Sequence, residues 1–188
     1  MVLVDLRDKL PVNPDPGRVW DLRKSAEVDT IIVHQAACKN ATTMGLAKYH
    51  TSPTEDRDHN GMIDAWERNH LSDKGAPGIC YHYTIEYDGT IYKCNSHWDS
   101  VWHSGSTKIN NRSLGICVLG DFEGPTYVGK EKPRKEQLTA LEELISFLLA
   151  HDWDIKKSNI KGHCEVKATK QACPGNIIMD TIKKLYRT

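Results

Sequence analysis

Residues 80–94 read CYHYTIEYDGTIYKC, with aromatic and β-branched side chains on both sides of Asp88-Gly89. Asp-Gly between two such runs is a strong short-range hairpin signal, because the turn needs a positive φ that glycine adopts without strain. Two antiparallel strands are therefore expected to meet there. Further along, Ser113 to Leu119 is nearly continuous in apolar residues, the pattern of a strand covered on both faces. Upstream, VDTIIVH at 28–34 is a short β-branched run ending on His34 and reads as another buried strand. Helices frame these strands. One is expected from about Thr42 to His50. A clearer one follows Pro133, where KEQLTALEELISFLLAH places Leu138, Leu141, Ile145 and Leu148 on one face, with Leu144 and Phe147 beside them. A last amphipathic stretch runs from Ile177 to Tyr186. The predicted fold class is α/β (α+β): a mixed central β-sheet flanked by helices, as one domain over residues 1–188.

At 188 residues the chain is long enough for one sizeable core and short for two. It contains no repeat, low-complexity tract or linker. The 25 Lys and Arg residues balance 25 Asp and Glu, so no net field holds nucleic acid or an anionic membrane. The opening MVLVDLRDKLPVNPDPG places Asp5 where a signal peptide needs an apolar run. No apolar stretch approaches the roughly 18 residues that span a bilayer. A protein without an export signal or membrane segment is expected. Six cysteines without a CxxC pair read as mostly reduced thiols, with Cys80, Cys94 and Cys117 as small buried hydrophobes.

Three residues stand at the ends of elements, where a side chain can point into a cleft: His34, His163 and Cys173. Singly, each has an ordinary structural reading, and Cys173 with His163 also fits a cysteine hydrolase. In GHCEVKATKQACPG, residues 162–175, the histidine is followed ten residues on by a cysteine held by Pro174 and Gly175. Together with IIVHQ at 31–35, ICYHYTIEYDGTIY at 79–92, VWHSG at 101–105 and NRSLGICVLG at 111–120, this segment resembles the type 2 N-acetylmuramoyl-L-alanine amidases. That family includes phage endolysins and the animal peptidoglycan recognition proteins. The matching motifs run in order from about residue 28 to 180.

The resemblance implies the fold shared by those amidases and recognition proteins, with zinc held by His34, His163 and Cys173. Two imidazoles and one thiolate suit Zn2+ and leave a fourth tetrahedral position open, as a catalytic site requires. It further implies that Tyr81 is a catalytic hydroxyl near the metal. A remaining catalytic position falls on Thr169 by distance from His163, or on Lys170 by charge. Some relatives carry a glutamate where this chain has Cys117, which points to the tyrosine-assisted mechanism. His103 resembles a position lining the substrate groove, and Trp102, Asn111 and Arg112 are expected beside it as substrate-binding residues, with Trp98 a further stacking candidate. His82 alternates to the strand face opposite Tyr81 and reads as structural.

Residues 56–67, DRDHNGMIDAWE, carry a pattern that this resemblance does not explain. Asp56, Asp58, Asn60, the Met62 carbonyl, Asp64 and Glu67 occupy the ligating positions of an EF-hand loop, with Gly61 at its sharp turn and Ile63 at its apolar position. Oxygen donors so spaced fold round a hard cation, so Ca2+ is expected as a structural or regulatory ion, with Glu67 returning from a following helix. Ser52-Pro53 interrupts the entering helix. One inserted calcium loop is therefore expected, not a sensor pair; the ordinary alternative is a solvated acidic turn.

These readings converge on zinc-dependent hydrolysis of the amide bond between N-acetylmuramic acid and L-alanine in bacterial peptidoglycan. A chain without an export signal fits a monomeric, bacteriolytic and antimicrobial phage endolysin, made in the host bacterial cytoplasm and acting on the cell wall after release. Its partner is peptidoglycan, not nucleic acid or membrane. The alternative is a non-catalytic peptidoglycan-binding module that keeps the groove.

Overall fold

Two strands, β2 (Thr30–Gln35) and β5 (Ser113–Val118), lie side by side in the middle of the sheet, and all their residues except Thr30 are buried. The computed structural model describes residues 1–24, 27–64, 67–122, 131–151 and 154–187. Within them the remaining strands are β1 (Leu3–Asp5), β3 (Tyr83–Ile85), β4 (Ile91–Lys93) and β6 (Ile160–Gly162). The helices are α1 (Thr43–Thr51), α2 (Thr107–Asn110), α3 (Lys135–Ala150) and α4 (Asn176–Tyr186). The sheet order is β1-β4-β3-β5-β2-β6, parallel throughout except for the antiparallel β3–β4 pair. The mixed sheet flanked by helices is thus present.

The hairpin closes at Gly89, whose φ is +85°, and Glu86 N–H donates to Thr90 O at 2.9 Å. The edge strands β1 and β6 are three residues each, too short to show a period in sequence. Alternation along β2 and β5 sends Ile31, Val33, Leu114 and Ile116 to one face, where they pack with Leu141, Leu144, Ile145 and Leu148 of α3 and Ile178 and Ile182 of α4. Gln137 fixes the start of α3. Its Oε1 accepts from Arg134 N–H at 3.1 Å, and its Nε2 donates to Leu119 O just beyond β5 at 2.8 Å. Leu144 is fully buried in this layer. Leu144→Ala is expected to lower the unfolding free energy by about 3 kcal/mol, read as a lower denaturant midpoint at an unchanged slope.

The Thr42 hydroxyl caps α1, accepting from Gly45 N–H at 3.0 Å, and the helix stops at Thr51 before Ser52-Pro53. Among the described residues no helix is long and apolar enough to cross a membrane.

Candidate metal centre and its cleft

The face of the sheet turned away from α3 and α4 carries the chemistry. His34 points to that face, because Val33 before it belongs to the α3 core, and Cys117 lies opposite it in the β2–β5 register. His163 opens a 3-10 turn directly after β6, and Cys173 lies shortly before α4. Backbone bonding clasps these last two together, with Cys164 N–H donating to Cys173 O at 2.8 Å. Gln35 joins their loop to β2: its backbone N–H donates to Cys173 Sγ at 3.4 Å and its side-chain amide to Ala172 O at 3.0 Å.

One donor atom each from His34, His163 and Cys173 lies within 4.8 Å of the others. His34 Nδ1 is 3.1 Å from His163 Nδ1 and 4.0 Å from Cys173 Sγ. His163 Nε2 sits 3.2 Å from Ser104 O; a carbonyl only accepts, so this nitrogen carries the proton and the Nδ1 lone pair faces inward. Burial drives the His34 pKa well below the ordinary histidine value, helped by His103, His163 and Lys170, and burial also lowers that of His163. Both rings are thereby held neutral, the form that binds a metal.

Above these residues opens a cleft of about 1080 Å³. Tyr81 lines it, with its ring centroid 5.2 Å from that of His34 and its hydroxyl bonded to the Cys117 side chain. Burial pushes the Tyr81 pKa well above the usual phenol value. Thr169 and Lys170 belong to an exposed 3-10 turn that also lines the cleft, and the Lys170 charge reaches both metal-site histidines. Trp102 also lines the cleft, edge-on to Trp20 at 5.5 Å, with the Arg18 guanidinium 5.6 Å from its ring.

A family model described as N-acetylmuramoyl-L-alanine amidase matches residues 24–176. The chain belongs to this amidase family. Its His34-His163-Cys173 group resembles the family's zinc site. Among curated relatives, a peptidoglycan-recognition protein of Drosophila melanogaster is 29% identical over 106 residues, 56% of this chain and 53% of that protein. The chain thus spans about half the length of that relative. Among solved structures, the endolysin N-acetylmuramoyl-L-alanine amidase LysCS from Clostridium intestinale URNW superposes with a TM-score of 0.64 at 24% identity, covering 97% of this chain and 93% of that one. Drosophila PGRP-LB superposes at 0.66 and 21% identity, with coverages of 97% and 93%. Both share the fold.

Several residues expected in the amidase groove lie elsewhere. Arg112 is exposed and pairs with Asp29, just before β2. Because β2 and β5 are parallel, with Thr30 beside Ser113 and His34 beside Cys117, Arg112 sits at the far end of the sheet, about 16 Å along the strand from the level of His34. Asn111 accepts a hydrogen bond from the Ser100 hydroxyl and does not line the cleft. Trp98 is half exposed outside it. His103 does border the cleft, but it is buried with its Nδ1 3.0 Å from His34 Nε2 and its Nε2 3.0 Å from Ser113 Oγ. Burial takes its pKa down to about 3, and neither ring nitrogen is left for a substrate. His82 is structural as expected, its Nδ1 accepting from Gly115 N–H at 2.9 Å.

Other cleft residues carry no motif that would reveal them. Tyr49 and His50 lie in the last turn of α1, and Tyr49 stacks on His70, its hydroxyl 2.7 Å from His70 Nδ1. Lys167 joins Lys170, and no Asp or Glu lines the cleft among the described residues.

In the acidic loop, oxygens of Asp56, Asp58 and Glu67 lie within 4.8 Å of one another. Asp56 accepts from Gly61 N–H at 2.7 Å, and Asn60 Oδ1 accepts from Met62 N–H at 2.8 Å, with Gly61 at φ +84°. Glu67 accepts from Asp64 N–H at 2.9 Å and from Arg57 N–H at 2.5 Å. These bonds, that of Asp64 foremost, hold its carboxyl below the usual range. The helix expected around Glu67 is not present among the described residues, where Glu67 stands in a turn; Ala65 and Trp66 lie outside them. Capping the loop's own N–H groups gives Glu67 a reason to fold back without helical support.

Proposed function

We propose that this chain hydrolyses the amide bond between N-acetylmuramic acid and L-alanine in peptidoglycan, using zinc held by His34, His163 and Cys173. The observation that carries the reading is the convergence of two imidazole nitrogens and one sulfur on a single point beneath a cleft. The donor chemistry fits: neutral nitrogen and soft sulfur suit zinc, and three protein donors are one fewer than the four that a structural zinc site takes. When bound, zinc supplies a Lewis acid and lowers the pKa of water to near neutrality.

The remaining work falls to side chains of this chain. Tyr81, kept protonated by burial, donates a hydrogen bond to the oxyanion that develops on the scissile carbonyl. Lys170 places positive charge in the same cleft, with the Thr169 hydroxyl its neighbour. Trp102 offers a stacking surface for sugar or peptide. Two lysines with no carboxylate beside them among the described lining residues favour the free carboxylates of a stem peptide. The likeness in fold to an endolysin amidase supports a role as an endolysin that acts on the cell wall.

Purified protein is expected to hold about one zinc per chain. It should free stem peptides bearing an L-alanine amino terminus from purified peptidoglycan, and chelation should stop the release. Zinc and wall binding without turnover would identify a non-catalytic binding module. Full turnover after zinc removal would overturn the metal assignment.

Loop 56–67 is proposed to bind calcium through Asp56, Asp58, Asn60, the Met62 carbonyl, Asp64 and Glu67. The spacing of its oxygen donors supports this, and its position gives the ion a consequence. Asn69 Nδ2 lies 2.7 Å from Ser52 O and 3.0 Å from His50 O, stitching the loop to the end of α1 that lines the cleft. Calcium at 100 times its Kd is expected to stabilise zinc-loaded, calcium-free protein by about 2.7 kcal/mol, raising Tm by roughly 5–10 °C. No heat in calorimetry and an unmoved Tm would leave a solvated acidic turn.

A further inference from the structure

We propose that His103 and Ser113 form a one-way hydrogen-bond chain that fixes the tautomer of His34, which makes them positioning residues for the metal centre; this rests on the zinc reading above. The direction of the chain is set at its far end. Ser113 Oγ lies 2.7 Å from Ile109 O, and since a carbonyl cannot donate, the hydroxyl proton points there. Ser113 Oγ then accepts from His103 Nε2–H, 3.0 Å away. A neutral His103 protonated at Nε2 presents a lone pair at Nδ1, which accepts from His34 Nε2–H at 3.0 Å. His34 is left with its lone pair on Nδ1, the nitrogen that faces His163 Nδ1 and Cys173 Sγ.

His163 reaches the same state through its bond to Ser104 O. That residue is itself anchored, since Asn110 Oδ1 accepts from Ser104 N–H at 2.9 Å and from its hydroxyl at 2.7 Å. Both ligand histidines thus aim lone pairs inward because each outer nitrogen meets an acceptor. Reversal of the His34 chain would put an N–H among the three donor atoms and leave the Ser113 proton without its carbonyl.

The packing around His103 serves this arrangement. A Cβ on Gly115 would lie 2.6 Å from His103 Cγ, so the ring occupies space on β5 that any other residue would fill. His34, His103 and Ser113 are 1%, 6% and 0% exposed, leaving little room for water to replace a lost partner. Outer partners of ligand histidines typically change metal affinity by about 10–100-fold.

The test uses the full-length chain. In metal-free wild type, 15N NMR is expected to find His34 chiefly protonated at Nε2, and Ser113→Ala is expected to give a mixture of tautomers. His103→Phe should weaken zinc binding about 10–100-fold in chelator competition, and His103→Gln, which keeps an acceptor, should recover most of it. Metal-free Tm of each variant reports folding; if His103→Phe fails to fold, Ser113→Ala and His103→Gln decide. A wild-type His34 protonated at Nδ1, or variants with unaltered tautomer and zinc affinity, would overturn the proposal. A wild type that binds no zinc would sink the proposed function, while the His34 tautomer still judges this chain of bonds.

Discussion

Cys173→Ala is expected to lose zinc on dialysis and to cut amide hydrolysis by at least about 10³-fold, corresponding to several kcal/mol of lost transition-state stabilisation. The fold should survive. The substitution removes the sulfur that accepts from Gln35 N–H, but the loop keeps its backbone clasp, Cys164 N–H to Cys173 O, and its second tie to β2, the Gln35 side chain to Ala172 O. Zinc per chain, peptide release and the Tm of the metal-free protein separate these effects. A folded variant that keeps one zinc and full turnover would remove Cys173 from the centre. The wild type settles the cysteine-hydrolase alternative: alkylation of Cys173 should expel zinc, whereas a nucleophilic cysteine would work with no metal to expel.

Tyr81→Phe should act on a different quantity. The ring stays beside His34, and only a hydroxyl disappears from the cleft. Loss of one donor to a developing oxyanion lowers kcat by about 10²–10³-fold, with KM and zinc stoichiometry little changed. The Cys117 side chain also loses its bonded neighbour, but a thiol tolerates this in an apolar setting. A kcat within about threefold of wild type would return Tyr81 to being a wall of the cleft.

The elements legible in the sequence are those with a strong period or a turn signal. β2 stands out as a short β-branched run and β5 as a nearly continuous apolar one, the β3–β4 hairpin through Asp88-Gly89, and α3 and α4 through their stripes. β1 and β6 are invisible because three residues show no alternation, and their parallel pairing with β4 and β2 is a long-range event. The donor set was legible only through the resemblance of its surrounding motifs to the amidase family, since His34, His163 and Cys173 each have an ordinary structural reading when taken singly. The groove was less so. Arg112 adjoins a strand that reaches the site, yet adjacency in sequence does not say which end of a parallel strand is meant. His103 was placed near the metal, but its turn toward His34 depends on the space that Gly115 leaves, which a linear reading cannot supply.

The clasp between Cys164 and Cys173 has a consequence for timing. The His163 and Cys173 donors come from one short loop, whereas His34 arrives from a strand more than a hundred residues earlier. During synthesis, therefore, the early half of the centre waits until residues 160–173 have been made and β6 has docked on β2. A chain interrupted before that point carries His34 and most of the cleft without the means to hold an ion. Completion of the centre thus depends on contacts between segments far apart in the chain, and a fragment that stops short of residue 163 is left with one donor of the three.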